Sequence, residues 1–221
     1  LPAQPVSDAR VAFNLPWPWG GERFELRQIR SLNYIIGPLF SGKTRLARAI
    51  AENLPDTTFV GLERLENGGA RAEAKMSADD ALKSRVDRSL TWLVEDGATV
   101  SRALVFLVTI LESSEPTNLV IDMVEQGLDR ATQLALIGYI RAHQSSKARA
   151  IFLLTRSKAI LDLTAVGADE SIILCPANHS PPTRVAPFPG APGYEAVATC
   201  LASPDVRART EGVIAIRPHV V

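Results

Sequence analysis

One short segment constrains the fold of this chain more than any other. Residues 32–36 read Leu-Asn-Tyr-Ile-Ile, a β-rich run that ends at a glycine. Residues 37–44 follow as Gly-Pro-Leu-Phe-Ser-Gly-Lys-Thr, and apolar residues then recur at helical spacing over 43–53. A strand, a glycine-containing loop and a helix in direct succession predict one βα unit of an α/β sheet.

The loop has the spacing Gly-x-x-x-x-Gly-Lys-Ser/Thr, which is typical of phosphate-binding loops. In that arrangement the backbone N–H groups of the loop and the N-terminus of the helix form a concave anion site. Lys43 is expected to reach the β- and γ-phosphates, and the Thr44 hydroxyl to ligate Mg²⁺. We therefore expect ATP or GTP to bind here with Mg²⁺. The residues expected to contact the nucleotide are Gly37, Pro38, Leu39, Phe40, Ser41, Gly42, Lys43, Thr44 and Arg45.

Outside the loop, β-like and helix-like segments alternate along the chain. Strands are predicted at residues 24–29, 32–36, 57–61, 118–122, 150–155 and 171–174. Helices are predicted at 43–53, 98–111, 130–143 and 158–163, with a further helix that begins at Ser77 as its N-cap and a loop over 67–75. The alternation predicts an α/β fold of the P-loop NTPase type, with a mostly parallel sheet covered by helices on both faces.

The distribution of proline predicts the domain organisation. Because proline blocks regular helix, the proline-rich residues 1–21 are predicted to form an extended N-terminal arm. The nucleotide-binding domain is expected to cover residues 22–175. A proline-rich loop, a helix at 194–202 and a strand at 212–217 then predict a C-terminal appendage, residues 176–221, packed on the sheet.

Composition limits the classes of function. The chain has 24 Lys and Arg and 24 Asp and Glu residues, so its formal net charge is zero. This balance argues against nucleic-acid binding over the whole surface and leaves a local basic patch open. The two cysteines, Cys175 and Cys200, show no metal-ligand spacing and are expected to be buried, reduced thiols. No apolar run approaches the roughly 18–20 residues that span a bilayer, and no signal-peptide pattern is present, so a cytoplasmic location is expected.

A second element of the expected site is acidic. Residues 119–122 read Leu-Val-Ile-Asp, which places Asp122 at the C-terminal end of a predicted strand. P-loop proteins hold Mg²⁺ with the help of such an acid on a neighbouring strand. The next residues, 123–129, read Met-Val-Glu-Gln-Gly-Leu-Asp. This stretch resembles the ABC-type ATPases, and in particular the compact branch that includes the SMC, RecF and OLD-like proteins.

The resemblance covers about residues 22–165 and implies a role for each matching position. It implies that Thr44 and Asp122 are the residues associated with Mg²⁺. Glu125 matches the second acid of the compact branch, and Asp129 matches the aspartate of the D-loop.

Two further segments match the family in order and depart from it in residue type. Residues 94–97, Val-Glu-Asp-Gly, lie where the family has Leu-Ser-x-Gly before a helix, so Glu95 replaces the signature serine. Residues 155–157, Thr-Arg-Ser, lie where it has Thr-His-Ser, so Arg156 replaces the switch histidine. Met123 stands where the usual catalytic carboxylate would follow the Mg²⁺ aspartate.

These departures predict a slow or conditional enzyme. Methionine cannot accept a proton from water, and loss of a general base typically lowers a rate by about 10²–10⁴. The expected catalytic residues are therefore Glu125 as a substitute base, Lys43, and Arg156 as a stabiliser of γ-phosphate charge. The family's Q-loop glutamine is missing, and the short interval between Thr44 and Gly97 predicts a reduced helical subdomain.

Three functions compete at this point. The first is an ABC-like ATPase with slow or partner-dependent hydrolysis that acts as a nucleotide-controlled subunit, with a protein partner or as a homodimer. The second is a small-molecule or nucleotide kinase, for which the segment Arg141 to Arg149 is a faint candidate for an arginine-rich lid. The third is a non-hydrolysing ATP-binding module that serves as a docking surface.

Other polar and aromatic residues allow two interpretations each. The basic turn around His143 is interpreted as a solvated helix C-terminus, with a phosphate or nucleic-acid contact as the alternative. His179 lies in a polar loop where functional groups often occur. Trp17 and Trp19 are expected to pack the arm on the domain or to stack on an adenine or a partner. Arg207, Arg209 and Arg217 could give the appendage a basic face.

Overall fold

A computed structural model describes residues 10–115, 117–144 and 149–202 of the chain. The strands are β1 Val11–Asn14, β2 Arg23–Leu26, β3 Leu32–Ile36, β4 Thr57–Val60, β5 Asn118–Ile121, β6 Ile151–Leu154, β7 Glu170–Leu174 and β8 Thr183–Val185. The helices are α1 Lys43–Asn53, α2 Arg64–Ala78, α3 Asp80–Glu95, α4 Arg102–Glu112, α5 Arg130–Gln144 and α6 Tyr194–Cys200.

The main sheet has the strand order β4-β5-β6-β3-β7-β8 within the described residues. All neighbouring pairs are parallel except β7 and β8, which are antiparallel. The central strands consist largely of Ile, Leu, Val and aromatic residues, as strands buried on both faces require. The predicted mostly parallel α/β sheet is confirmed, and the edge strand β8 is an addition that the sequence patterns did not predict.

The alternation of side chains in each strand builds a core on both faces of the sheet. Tyr34 and Ile36 of β3 belong to the cluster that includes α2, α3, α4 and α5. Ile35 belongs to the opposite cluster, which includes α1 and the hairpin of β1 and β2. Helices therefore cover both faces, as predicted. The carboxyl ends of β3 and β5 lie at the same edge of the sheet, on either side of β6.

The segment between β4 and β5 differs from the sequence prediction. Residues 67–75, predicted as a loop, lie inside helix α2. The glycines that favoured a loop serve helix packing instead, since a Cβ at Gly68 would lie 3.0 Å from the Phe106 ring of α4. Ser77 is not an N-cap, because Asp79 caps α3 and accepts a hydrogen bond from the Leu82 amide at 2.9 Å.

Two further helix predictions need correction. Helix α4 begins at Arg102 rather than at residue 98, since the Ser101 hydroxyl accepts a hydrogen bond from the Leu104 amide at 3.2 Å. Residues 158–163, predicted as a short helix, form turns. Ser157 organises these turns, because its hydroxyl accepts a hydrogen bond from the Ala159 amide at 3.1 Å and donates one to Gln133 at 2.6 Å.

The N-terminal segment contains a strand that the sequence did not predict. Within residues 10–21, β1 pairs with β2 in antiparallel register, Phe13 opposite Phe24. Val11, Phe13 and Trp19 are buried against the α1 face of the sheet. Residues 1–9 of the predicted arm lie outside the described residues, as do Lys147, the predicted strand 212–217 and the arginines at 207, 209 and 217.

Both cysteines are buried and free, as predicted. Burial raises the pKa of the Cys175 thiol to about 12. In the part of the chain that the structure describes, no helix is long and apolar enough to cross a membrane.

Candidate functional site

The phosphate loop joins β3 to α1 and depends on its glycines for its shape. Gly42 has a φ of +88°, a left-handed conformation that glycine adopts without strain. A Cβ at Gly42 would lie 2.5 Å from the Trp19 ring, and a Cβ at Gly37 would lie 2.4 Å from the Cys175 carbonyl oxygen. The loop therefore sits close against the N-terminal hairpin on one side and the end of β7 on the other.

Polar groups of the loop are buried in a way that suits an anion. The Lys43 ammonium donates to the Pro38 carbonyl oxygen at 2.5 Å, so it folds back over its own loop. Burial is the main cause that lowers the pKa of Lys43 below its ordinary value of 10.5. The Ser41 hydroxyl oxygen is buried and has no hydrogen-bond partner among the described residues. A phosphate in the loop would give both groups a partner.

Thr44 and Asp122 meet at the carboxyl ends of β3 and β5. The Thr44 hydroxyl donates to the Asp122 carboxylate at 3.0 Å. The Asp122 amide donates to the Val60 carbonyl at 2.9 Å, which fixes the backbone just beyond β5. A hydroxyl and a carboxylate beside a phosphate loop form an oxygen donor set that suits Mg²⁺, which usually takes few protein ligands together with phosphate oxygens and water.

A buried arginine holds the acidic strand end in place. Arg64 of α2 is 1% exposed, and its guanidinium donates to the carbonyls of Gly61 (2.9 Å), Asp122 (2.7 Å) and Met123 (2.6 Å). The guanidinium thus joins the ends of β4 and β5 and faces the Asp122 backbone. Sequence patterns did not indicate Arg64, because it lies just before residues 67–75, which were predicted to form a loop.

The turn after β5 brings Glu125 to Arg156. Met123 has a φ of +46°, so the chain reverses direction directly after Asp122. The Val124 amide then donates to the Leu154 carbonyl at 3.1 Å, which ties the turn to β6. One oxygen of the Glu125 carboxylate accepts from the Arg156 amide at 2.9 Å. The other, Oε2, is buried and has no hydrogen-bond partner in the described ranges.

A cleft of about 490 Å³ opens beside this turn. Its walls include Glu125 and the cationic side chains of Arg130, Arg156 and Lys158. Leu201 and Ala202, at the end of the described residues, form part of its border. The cleft therefore offers positive charge next to the carboxylate expected to act as a base.

Asp129 is exposed and occupies a capping position at the start of α5. Its carboxylate accepts a hydrogen bond from the Thr132 amide at 2.8 Å at the start of α5. Hydrogen bonds from Thr132, and then from Thr99, lower the pKa of Asp129. The Thr132 hydroxyl in turn accepts from the Thr99 amide at 2.8 Å. Asp129 thus links the turn after β5 to the segment that precedes α4.

The segment Val94 to Gly97 ends a helix and does not open one. Glu95 is the last residue of α3, and Gly97, with φ +93°, closes that helix through a bond from its amide to the Val94 carbonyl at 3.0 Å. The expectation that this segment directly precedes a helix from residue 98 is therefore wrong. Glu95 is exposed, and α4 starts at Arg102.

A tryptophan and a histidine contact the loop from outside. Trp19 packs on Gly42, and its indole N–H donates to the Ser180 carbonyl at 3.1 Å. The His179 ring donates from Nε2 to the Phe40 carbonyl at 3.0 Å. These contacts join the hairpin and the loop after β7 to the phosphate loop. No short motif marks Trp19 or His179 as a loop contact, because both act through long-range packing.

Trp17 lies beside the loop and is open to solvent. Its side chain is 70% exposed, and the Arg45 guanidinium lies 4.7 Å from the centre of its ring. Phe40, at the tip of the loop, is 91% exposed. The loop therefore presents large apolar side chains at the surface in addition to its phosphate-binding groups.

The basic turn around the end of α5 does not face this site. Arg141 forms an ion pair with Glu170 at 2.7 Å, at the amino end of β7. Arg149 is 5% exposed and donates to the carbonyls of Leu111 (2.6 Å) and Ser113 (3.3 Å). Both arginines have structural partners at the edge of the sheet opposite to the phosphate loop.

The fold is similar to solved structures of ATP-binding cassette proteins. An ATP-binding cassette of an ABC transporter in its ADP conformation matches with a TM-score of 0.52 and 14% identity, covering 92% of this chain and 98% of that one. The SMC head domain from Thermotoga maritima matches with a TM-score of 0.53 and 14% identity, covering 75% and 93%. A bacterial Atm1-family ABC exporter with ATP bound matches with a TM-score of 0.50 and 15% identity over 75% of this chain, which spans 36% of that chain.

At such identities the likeness shows the fold alone, which is that of an α/β P-loop NTPase. No protein-family model and no curated protein matches the sequence.

Proposed function

We propose that this chain is an ABC-like ATP-binding subunit whose hydrolysis is slow or depends on a partner. One observation carries the proposal. Thr44 and Asp122 meet at 3.0 Å beside a complete phosphate loop, while the residue after Asp122 is a methionine in a sharp turn. The groups proposed to bind Mg-nucleotide lie together, and the residue at the position of the usual base, Met123, cannot accept a proton from water.

The binding half of the site is assigned to the loop and the strand ends. Lys43 and the buried Ser41 hydroxyl would contact the phosphates, with the loop amides as further donors. Thr44 and Asp122 would hold Mg²⁺, which neutralises phosphate charge when it is bound. Trp17, exposed beside the loop, offers a ring on which the base can stack, as proposed for an adenine contact.

The hydrolytic half is assigned to Glu125 and Arg156. The Arg156 amide holds one oxygen of the Glu125 carboxylate, which leaves Oε2 as the group that accepts a proton from water. The Arg156 guanidinium lines the same cleft and stabilises charge on the γ-phosphate. Because Glu125 replaces a base at Met123, turnover is expected to be low unless a partner completes the site.

Exposed apolar side chains near the site support a partner or a homodimer. They include Phe40 at 91% exposure, Leu65 at 43%, Val100 at 53% and Leu134 at 49%. Leu65 lies beside Gly127 in the turn after β5. Val100 follows Thr99, whose amide donates to the Thr132 hydroxyl at the start of α5. An ATP-dependent contact between two copies would cover such side chains.

A second candidate is a phosphotransferase. The cleft of about 490 Å³ beside Glu125 carries three cationic side chains, which suits an anionic acceptor. The lid that the sequence suggested for a kinase is not supported, since Arg141 and Arg149 are held by Glu170 and by backbone carbonyls. The ATPase therefore remains the better supported function.

The proposal is tested by measuring retained nucleotide and solution mass with and without ATP and Mg²⁺. An ATP-induced dimer supports the nucleotide-controlled subunit. A monomer that retains ATP without turnover supports the docking module, and phosphoryl transfer to an added acceptor supports the kinase. Failure to retain any nucleotide would overturn all three readings of the loop.

A further inference from the structure

We propose that the cleft between α3 and α5 is a second binding site, which takes a nucleobase with its phosphate as a free nucleotide or within a single strand. The cleft has a volume of about 470 Å³, within the range of about 300–1,000 Å³ typical of small-ligand pockets. Its lining is Arg85, Arg88, Ser89, Trp92, Glu112, Tyr139 and His143.

One face of α3 supplies most of the wall. Arg85, Arg88, Ser89 and Trp92 follow the helical spacing i, i+3, i+4 and i+7, so they share a face. Arg88 is exposed, whereas Arg85 and Trp92 are half-buried. The helix therefore presents a cationic row and an indole to the same cavity.

The rings of Tyr139 and His143, both in α5, form the opposite wall. His143 stacks on Tyr139 with ring centres 4.5 Å apart and an interplanar angle of 20°. Trp92 meets His143 edge to face at 5.3 Å. Tyr139 is buried, so the exposed His143 ring and the half-buried Trp92 ring are the surfaces offered to a base. Stacking of a base on such rings contributes about 1–3 kcal/mol per base in single-strand binding proteins.

The floor of the cleft is held rigid by hydrogen bonds. The Tyr139 hydroxyl donates to the Glu112 carboxylate, so Ser89 must be the donor in its 2.8 Å contact with the Tyr139 oxygen. Burial, followed by the hydrogen bond to Glu112, raises the pKa of Tyr139, which therefore stays protonated. Arg149 lies behind Glu112 and offsets its negative charge.

The rim of the cleft is positively charged. The Arg88 guanidinium donates from Nε to the carbonyl of Ser84 on its own helix at 3.3 Å. Arg85 donates from Nε to the Glu112 carbonyl at 3.3 Å and lies 4.0 Å from Asp79. Guanidinium groups beside aromatic rings favour a ligand that combines a flat ring with a phosphate, because each part has a matching wall.

This cleft is separate from the phosphate loop. Its lining residues lie in α3, α4 and α5, and none of them belongs to the loop or to the turn after β5. Along α5, His143 lies about 20 Å from Arg130, which borders the proposed nucleotide site. Binding in the cleft therefore does not require an intact phosphate loop.

The experiment uses the full chain with Lys43→Ala, so that the phosphate loop does not contribute. A short fluorescein-labelled oligothymidylate is titrated and followed by fluorescence polarisation, with AMP, adenosine, inorganic phosphate and polyglutamate as competitors. Arg88→Glu is expected to weaken binding about tenfold or more, because it replaces a phosphate contact by a repulsive charge. Lys83→Glu is the matched control, since Lys83 is an exposed cation on the same helix outside the cleft lining.

Trp92→Ala is expected to weaken binding about tenfold through lost stacking. Because Trp92 packs against the core, its fold is checked by circular dichroism, while the exposed Arg88 keeps the test valid if Trp92→Ala unfolds. Binding of AMP as strong as that of the oligonucleotide identifies a free nucleotide, and binding of the oligonucleotide alone identifies a single strand.

Three results would overturn the proposal. The first is absence of binding by both AMP and the oligonucleotide. The second is an equal loss of affinity in Arg88→Glu and Lys83→Glu. The third is displacement by polyglutamate or inorganic phosphate as strong as by AMP, which would show that charge alone is recognised.

Discussion

The two halves of the proposed nucleotide site differ in how completely they are built. On the binding side, the loop, Thr44 and Asp122 lie in hydrogen-bond contact at the carboxyl edge of the sheet. On the hydrolytic side, Met123 occupies the position next to Asp122, and the carboxylate proposed as the base, Glu125, accepts a hydrogen bond from the Arg156 amide. Under the proposed function, this difference predicts that the chain retains a nucleotide and turns it over slowly.

The largest expected effect is on turnover, from a substitution of Glu125 in the hydrolytic half of the site. Glu125→Gln is expected to lower ATP turnover by about 10²–10⁴ if Oε2 is the proton acceptor, because an amide cannot act as a base. Nucleotide affinity should stay unchanged, since the Glu125 carboxylate is hydrogen-bonded to the Arg156 amide and is not assigned to phosphate or Mg²⁺ binding. Turnover is measured by phosphate release and affinity by calorimetry. Equal turnover in Glu125→Gln and the parent chain would exclude Glu125 as the base.

The binding half is tested by Lys43→Ala. Removal of the ammonium that folds over the loop should weaken Mg-ATP binding about 100-fold, because a charge-assisted contact with the phosphates is lost. Calorimetry with Mg-ATP measures this change. The matched control is Arg48→Ala, which removes an exposed cation from the same helix. Similar affinity losses in the two variants would contradict the assignment of Lys43.

The next prediction concerns the contribution of Arg64 to the stability of the backbone around Asp122. Arg64→Met should lower the free energy of unfolding by about 2 kcal/mol, since the carbonyls of Gly61, Asp122 and Met123 lose their donor. Urea unfolding measures the change, with Arg71→Met, an exposed arginine of the same helix, as the control. A stability equal to that of the parent chain would show that these contacts contribute nothing.

The smallest expected effect is a pH dependence of nucleotide binding. Burial lowers the pKa of Lys43 below 10.5 in the free protein, and phosphate oxygens would favour its charged form. At pH values between the lowered pKa and the higher pKa of the nucleotide-bound state, binding should take up a proton, so affinity should fall as pH rises. Calorimetry in buffers of different ionisation enthalpy detects the uptake. An affinity that stays constant over this window, or rises, would contradict the role of Lys43.

The lowered pKa of Lys43 also predicts the direction in which the free energy of unfolding changes with pH. Because the folded-state pKa of Lys43 is depressed, the unfolded chain binds more protons below 10.5. The free energy of unfolding should therefore increase with pH between the lowered pKa and 10.5, as far as this group contributes.

The sequence predicted the parts of the molecule that depend on local spacing. The phosphate loop, the strand that ends before Asp122 and the mostly parallel sheet follow from short-range patterns, and the structure has them. The α2 segment was predicted wrongly because Gly68 looked like a loop residue. Its actual role, close packing against Phe106, depends on a contact between helices that no local pattern encodes.

The contact partners of the supporting residues could not be predicted for a similar reason, although Trp19 was expected to pack on the domain and is buried there. Arg64, Trp19 and His179 act through contacts with backbone atoms far along the chain. Charge or aromatic character alone does not distinguish them from surface residues. The position of Glu125 beside the Arg156 amide also depends on the left-handed backbone at Met123. A methionine does not predict this conformation, because residues other than glycine rarely adopt a positive φ.

Nucleotide binding with slow hydrolysis is tested most directly by measuring turnover of the purified chain together with its ATP affinity. We expect Mg-ATP to bind and turnover without a partner to be well below about 1 s⁻¹, the lower end of the usual range for enzymes. A turnover of several per second that Asp122→Asn abolishes would contradict it, because the altered positions would then not limit hydrolysis.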